Sequence, residues 1–301
     1  MNGSPSTPPR RLLLIANPIS GGGRGRQLAP QLAAALLRHG VHAEVFFTAR
    51  AGDATARAAA AGDEDWHGLV AIGGDGTVNE VLNGMPDLTR ALGVLPVGTA
   101  NVLAQELGLP RRPEAVAAML AAGHRREIAI GRAAGRRFLL FCGVGVDGAV
   151  VQRLAAVRTG TLGKHKWLGP ILYTLWHWPR FELAVTFADG SRLEGLRSVL
   201  ITRVRNFGGV VSLTAGVDIG DGRLHVHCFR QRSRLAWLWQ GLRAFCGRMR
   251  EGRALCVRTT TAVRVDGTAP FQIDGDFGGF GPIAIDLEPK SAHLFVPRPT
   301  P

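Results

Sequence analysis

No stretch of this 301-residue chain is apolar for long enough to cross a membrane as a helix. The greasiest segment, WLGPILYTLWHWP (167–179), is interrupted by Pro170, His177 and Pro179. It falls short of the roughly 20 apolar residues that a spanning helix needs. The amino terminus, MNGSPSTPPRR, is polar and proline-rich, and the apolar run after it (12–16) is too short for a signal core. Cysteine is scarce. Cys142, Cys228, Cys246 and Cys256 form no CxxC pair and have apolar neighbours, which favours core packing in a reducing compartment over a disulfide frame or a metal site. Acidic residues are outnumbered, 23 Asp and Glu against 36 Lys and Arg, and nearly all the basic ones are Arg. The resulting charge of +13 points to an anionic partner: nucleotide phosphates, nucleic acid or an acidic membrane surface. The expectation is a cytoplasmic protein in peripheral contact with a membrane.

What is present is a regular alternation. Residues 12–16, 41–47, 68–72 and 91–96 read as short apolar strands. Residues 27–40, 52–62, 77–84 and 100–110 read as helices between and after them. Such alternation predicts a parallel sheet covered on both faces. The second half changes character. Strand-like runs at 137–144, 180–195, 197–204, 222–230, 254–265 and 283–289 surround one helical pattern at 233–250, and ADG (188–190) reads as a hairpin turn. Leu235, Leu238, Leu242, Phe245 and Met249 fall on one stripe of that helix. The fold class expected is an α/β N-terminal domain with a parallel sheet plus a mainly antiparallel β C-terminal domain. The expected limits are 10–130 and 131–285, with 286–298 returning to the first domain. A cleft between two domains is a common place for a ligand.

Glycine-rich loops at 17–25, 73–77 and 96–101 each follow a strand and precede a helix. Ligands on open parallel sheets bind at the carboxyl ends of strands, and helix N-termini offer backbone N–H groups to phosphate. Most familiar phosphate and catalytic motifs fail. GTLGKH lacks the upstream glycine of a P-loop. GVGVDG (143–148) matches G-x-G-x-x-G, but no acid follows about twenty residues on, so a dinucleotide fingerprint is rejected. No G-x-S-x-G elbow is present, and His165, His177, His225 and His227 lack metal spacing with matching acids.

GGDGTVNEV (73–81) is more specific. It resembles the nucleotide-binding signature of the diacylglycerol kinase catalytic family, which includes bacterial lipid kinases and sphingosine and ceramide kinases. NPISGG (17–22), PVGTAN (96–101), GVGVDGAVV (143–151), NFGGVVSLTAGVDIGDGRLHV (206–226) and FQIDGD (271–276) match in the family's order and span nearly the whole chain.

The resemblance implies ATP and Mg²⁺ as cofactors and a membrane lipid as acceptor. Asn17, Ser20, Gly21, Thr48, Gly73, Gly74, Asp75, Gly76, Thr77, Val78, Asn79, Glu80, Gly98, Thr99 and Asn101 would contact the nucleotide. Asp75 would partner the catalytic metal, and Asp274 and Asp276 would stand at the family's general-base motif. Asp276 is one methylene shorter than the family's Glu. Val102 stands where many members carry an Asp, with Glu106 one helical turn on. VDIGDGRL resembles the family's structural Mg²⁺ loop, with Asp218, Asp221 and Arg223 at matching positions.

An NAD kinase shares the Gly-Gly-Asp-Gly signature, and a non-catalytic nucleotide- or membrane-binding member is a third reading. NEV and IDGD favour the lipid kinase. Lys164, Lys166 and Arg180 interleave with Trp167, Tyr173, Trp176 and Trp178, which suits either a membrane interface or a buried helix with one wet end. The Arg-rich helix at 232–253 is a second candidate membrane face. No RNA- or DNA-binding motif accompanies these aromatics, so nucleic acid is not an expected partner, while a homodimer stays open.

Overall fold

The computed structural model describes residues 11–157, 168–207, 211–212, 217–231, 233–246, 249 and 251–298. Lys164, Lys166, Trp167 and much of the 208–216 stretch lie outside them. The chain forms two compact units: the part up to Ile128 with the segment from Lys290 onward, and the part from Ala129 to Pro289.

The first unit runs β1 (Arg11–Ala16), α1 (Arg24–Arg38), β2 (His42–Phe47), α2 (Asp53–Ala60), β3 (Gly68–Gly73), α3 (Asp75–Gly84), β4 (Ala91–Pro96), α4 (Val102–Glu106), α5 (Pro113–Ala122) and β5 (Arg125–Ile128). The C-terminal strand Ala292–Phe295 inserts between β4 and β5, giving the sheet order β2-β1-β3-β4-C-terminal strand-β5. Every pair is parallel except the one with β5. Residues 12–16 and 68–73 are buried without a break. A strand covered on both faces needs a continuous apolar run rather than an alternating one, and LLLIA supplies it. In α1, Ala29, Leu32, Ala35 and Leu36 recur at helical spacing and are fully buried. Burying each of the two leucines stabilises the unit by about 1.5–3 kcal/mol.

The second unit runs β6 (Gly131–Ala133), β7 (Arg136–Phe138), β8 (Phe141–Gly145), α6 (Val146–Val157), α7 (Leu168–His177), β9 (Leu183–Phe187), β10 (Arg192–Leu196), β11 (Ser198–Thr202), β12 (Asn206–Phe207), β13 (Val211–Ser212), β14 (Leu224–Phe229), α8 (Arg234–Phe245), β15 (Leu255–Thr260), β16 (Ala262–Asp266), β17 (Pro270–Ile273), β18 (Asp276–Phe280) and β19 (Ile283–Leu287). Two antiparallel sheets, β10-β9-β16-β19-β6-β7 and β15-β14-β11-β8-β17-β18, share one apolar core that includes Phe138, Val185, Val265 and Ile285 from the first and Val144, Ile201, Val226 and Phe271 from the second. The architecture is therefore the α/β-plus-antiparallel-β class expected from the sequence.

Three sequence-level elements are corrected. The run 254–265 is two strands, β15 and β16, lying in different sheets. The break falls at Thr261, where Thr260 Oγ1 donates to Ala262 O at 2.8 Å and replaces a ladder bond with a side-chain bond. The run 137–144 is likewise split, into β7 and β8, at Leu139–Leu140. There the backbone N–H groups turn to a side chain described below. The helix expected over 100–110 spans only Val102–Glu106; the chain turns at Gly108, which has φ +63°.

Candidate active site

In a parallel sheet all carboxyl ends lie on one edge, so the loops after β1, β2, β3 and β4 are neighbours by construction. Backbone bonds stitch them together. Asn17 N donates to Ile72 O at 2.9 Å, Thr48 N to Ala16 O at 2.9 Å, and Val97 N to Gly73 O at 2.8 Å. A Cβ on Gly98 would stand 2.5 Å from Gly74 Cα, so two loop backbones touch where only glycine fits. Asn17, Ser20, Gly21, Thr48, Gly73, Gly74, Asp75, Gly76, Gly98 and Asn101 thus gather on one edge. Thr77 is buried with its hydroxyl facing Gly73, while Thr99 is exposed. Val78 and Asn79 pack inside α3. Glu80 Oε2 accepts from Gly52 N at 3.2 Å, at the start of α2.

Asp75 joins two of these loops. Its Oδ2 accepts from Val102 N at 3.0 Å and its Oδ1 from Leu103 N at 3.2 Å. The carboxylate therefore caps α4 and ties GGDG to GTAN. Burial raises its pKa, and the same backbone donors pull it back. Beside it, the buried Asn101 Nδ2 donates to Gly98 O at 2.7 Å, while Asn101 Oδ1 has no partner. A glycine cradle, the N-terminus of α3, the Asp75 carboxylate and an orphaned amide oxygen fit a polyphosphate with its divalent cation. Sequence reasoning missed Arg24. Its guanidinium donates to Gly21 O at 3.2 Å and Val97 O at 3.3 Å, bringing a positive charge to the cluster. The signal was its place directly after the glycine run.

In the second unit, Asp274 has φ +48°. Its carboxylate accepts three backbone N–H bonds, from Leu139 at 2.9 Å, Leu140 at 3.0 Å and Phe141 at 2.9 Å. This is the clamp that breaks β7 from β8 and turns the chain from one sheet into the other. Such bonds hold the carboxylate in one place and occupy both of its oxygens. Asp276, two residues on, keeps 45% of its side chain exposed and lies 3.4 Å from Arg136 Nη2.

The turn between the two acids is held from below. Gly275 N donates to Gln272 Oε1 at 2.8 Å, and Gln272 Nε2 donates to Asp147 Oδ2 at 2.7 Å. Gln272 is fully buried. A Cβ on Gly143 would come within 1.9 Å of Asp147 Oδ2, so glycine is required where β8 passes the acid. Part of Asp147 still touches solvent, yet desolvation pushes its carboxyl up to about 6, with the Gln272 bond opposing.

The loop at 218–223 closes on itself. Asp218 Oδ1 accepts from Gly220 N at 2.8 Å and Asp221 Oδ1 from Arg223 N at 2.9 Å, while Asp221 Oδ2 lies 2.7 Å from His225 Nε2. The fully buried Arg203 donates to Arg223 O at 2.5 Å and to Ile219 O. Desolvation lowers its pKa to about 10, against the attraction of Asp221 and Asp218, so it stays charged at neutral pH. A guanidinium thus takes the two loop carbonyls, and a divalent ion bound to them would have to displace it. With the Arg203 guanidinium on both carbonyls, those residues do not fit Mg²⁺.

Residues 11–133, nearly all of the first unit, match the family model for the diacylglycerol kinase catalytic domain. Through that stretch, less than half of its length, the chain is similar to the diacylglycerol kinase catalytic domain. Similarity extends further. The chain is 28% identical to a diacylglycerol kinase of Bacillus subtilis (strain 168), over 96% of this chain and 97% of that one. It is 26% identical to a diacylglycerol kinase of Staphylococcus aureus (strain bovine RF122 / ET3-1), over 96% and 93%. A crystal structure of a diacylglycerol kinase from Bacillus anthracis strain Sterne shares the fold, with a TM-score of 0.74 at 21% identity over 97% of this chain and 98% of that one. No helix among the described residues is long and apolar enough to cross a membrane.

Proposed function

We propose that the chain is an ATP-dependent lipid kinase that phosphorylates a hydroxyl of a membrane lipid such as diacylglycerol. The observation that carries this reading is the meeting of three glycine-rich loops on the carboxyl edge of the first sheet, two of them tied together by the Asp75 carboxylate. Bound Mg-ATP supplies the γ-phosphoryl group and neutralises its developing charge.

Asn17, Ser20, Gly21, Thr48, Thr77 and Thr99 offer hydroxyl, amide and backbone donors to the phosphates. Arg24 adds positive charge. Asp75 and Asn101 Oδ1 are the oxygen donors for the cation. Asp276, reached by solvent and steadied by Arg136, accepts the proton at a carboxylate oxygen. The lipid oxygen then bonds to the γ-phosphorus as the bond to the departing ADP breaks. Asp274 acts as the clamp that presents Asp276, which reverses the emphasis the motif alone suggests.

Asp276→Asn should lower kcat by about 10²–10⁴ while nucleotide affinity and melting temperature hold. Retained turnover in that variant would remove Asp276 from the chemistry.

A further inference from the structure

Five large apolar side chains on α8 face solvent. Leu235, Leu238, Trp239, Leu242 and Phe245 are between 45% and 73% exposed. Their spacing is that of one helical face, a stripe that normally turns toward the core. Here the inward side carries Gln240 and Ala244, both buried. Trp237 packs edge-on against Trp178, with ring centroids 6.3 Å apart. Ser233 Oγ caps the helix by accepting from Ala236 N at 3.2 Å. The helix is thus anchored by its polar and small face and displays its apolar one.

The surroundings are mainly basic, with the exposed Glu251 the one acid on the neighbouring segments described. The helix RLAWLWQGLRAF has no acidic residue and carries Arg234 and Arg243. Arg230 and Arg253 are exposed on the neighbouring segments. None of these four makes an ion pair among the described residues. An outward apolar stripe with Trp and Phe, bordered by arginines, is the pattern of a helix lying in a bilayer interface. A second copy is a poorer occupant, because a two-fold contact would bring the same four arginines together with only Glu251 of each copy to offset them.

We infer that α8 docks this protein on an anionic lipid surface, with Leu235, Leu238, Trp239, Leu242 and Phe245 entering the headgroup layer and the flanking arginines meeting lipid phosphates. Its purpose, bringing the kinase to its acceptor, rests on the lipid-kinase reading; the binding does not.

Cosedimentation of the full chain with phosphatidylcholine vesicles and with vesicles containing phosphatidylglycerol, without nucleotide, tests it. Binding to the anionic vesicles should be at least tenfold tighter and should weaken with salt. Leu238→Gln with Leu242→Gln should lower it at least tenfold, and Arg234→Gln or Arg243→Gln about fivefold each. The side chains are exposed, so the variants should melt with the wild type. Equal binding to both vesicles, or no effect of the leucine pair, would overturn the inference. So would a dimer in sedimentation equilibrium that the leucine pair dissolves, since a second copy would then cover the stripe. Transfer to detergent-dispersed lipid is read separately. Its loss in the wild type counts against the kinase, whereas intact transfer without vesicle binding counts against the docking.

Discussion

Replacing Asp274 by Ala separates a structural acid from a catalytic one. The substitution removes the acceptor of three backbone N–H groups, those of Leu139, Leu140 and Phe141. All three residues are less than one-tenth exposed, so water reaches the orphaned donors poorly. Each costs about 1–3 kcal/mol when left unmade. Some relaxation and water entry bring the sum to about 4 kcal/mol, a large share of the roughly 5–15 kcal/mol that holds a domain together. For a unit of this size that corresponds to a fall of about 10 °C in melting temperature. Asp274→Asn keeps one acceptor oxygen and should fall about half as far. Asp276→Asn removes one half-exposed ion pair with Arg136 and should cost less than about 1 kcal/mol. Scanning calorimetry on the full chain resolves the three. If Asp274→Ala melts within about 2 °C of the wild type, the clamp argument fails.

Two further predictions concern buried charge. The Asp147 carboxyl is pushed from 3.8 to about 6 by desolvation. The folded state therefore binds more protons than the unfolded one between about pH 4 and 6, and stability falls as pH rises through that window. The full shift is worth about 3 kcal/mol, reduced to about 2 because solvent touches part of the residue. Unfolding by urea should show the Asp147→Asn variant gaining that much on the wild type between pH 4 and 7; parallel pH profiles would rule the shift out. Arg203→Met strips the cation from Ile219 O and Arg223 O and should cost about 3 kcal/mol. A chelator should leave the wild type's melting unchanged, and a chelator-induced drop would place a metal on those carbonyls instead of the guanidinium.

The first unit was legible because its signals are local. The runs 12–16, 68–72 and 91–96 are short, apolar and followed by glycine-rich loops, which favours strands covered on both faces, and the structure has them buried. The helix α5 escaped notice, although Pro113 at its first position and Gly123 at its C-cap mark both ends. The second unit was less legible because its turns are made by partners far along the chain. Nothing near Leu139 says that its N–H will find a carboxylate 135 residues away. Likewise DGD reads as a turn, but only the bonds to Gln272 and to residues 139–141 show that Asp274 builds it while Asp276 keeps its side chain half-exposed. Hydrophobic spacing found the stripe of α8 without revealing that it faces outward, since periodicity fixes a face and not its direction.

The central claim is phosphate transfer to a lipid hydroxyl from a nucleotide held by the loops around Asp75. The most direct measurement is labelled ATP with Mg²⁺ and a panel of dispersed lipids (diacylglycerol, phosphatidylglycerol and a sphingoid base), with NAD as the competing acceptor. Label should appear in a lipid and not in NAD. Label in NAD, or ATP bound without label reaching any lipid, would contradict the account.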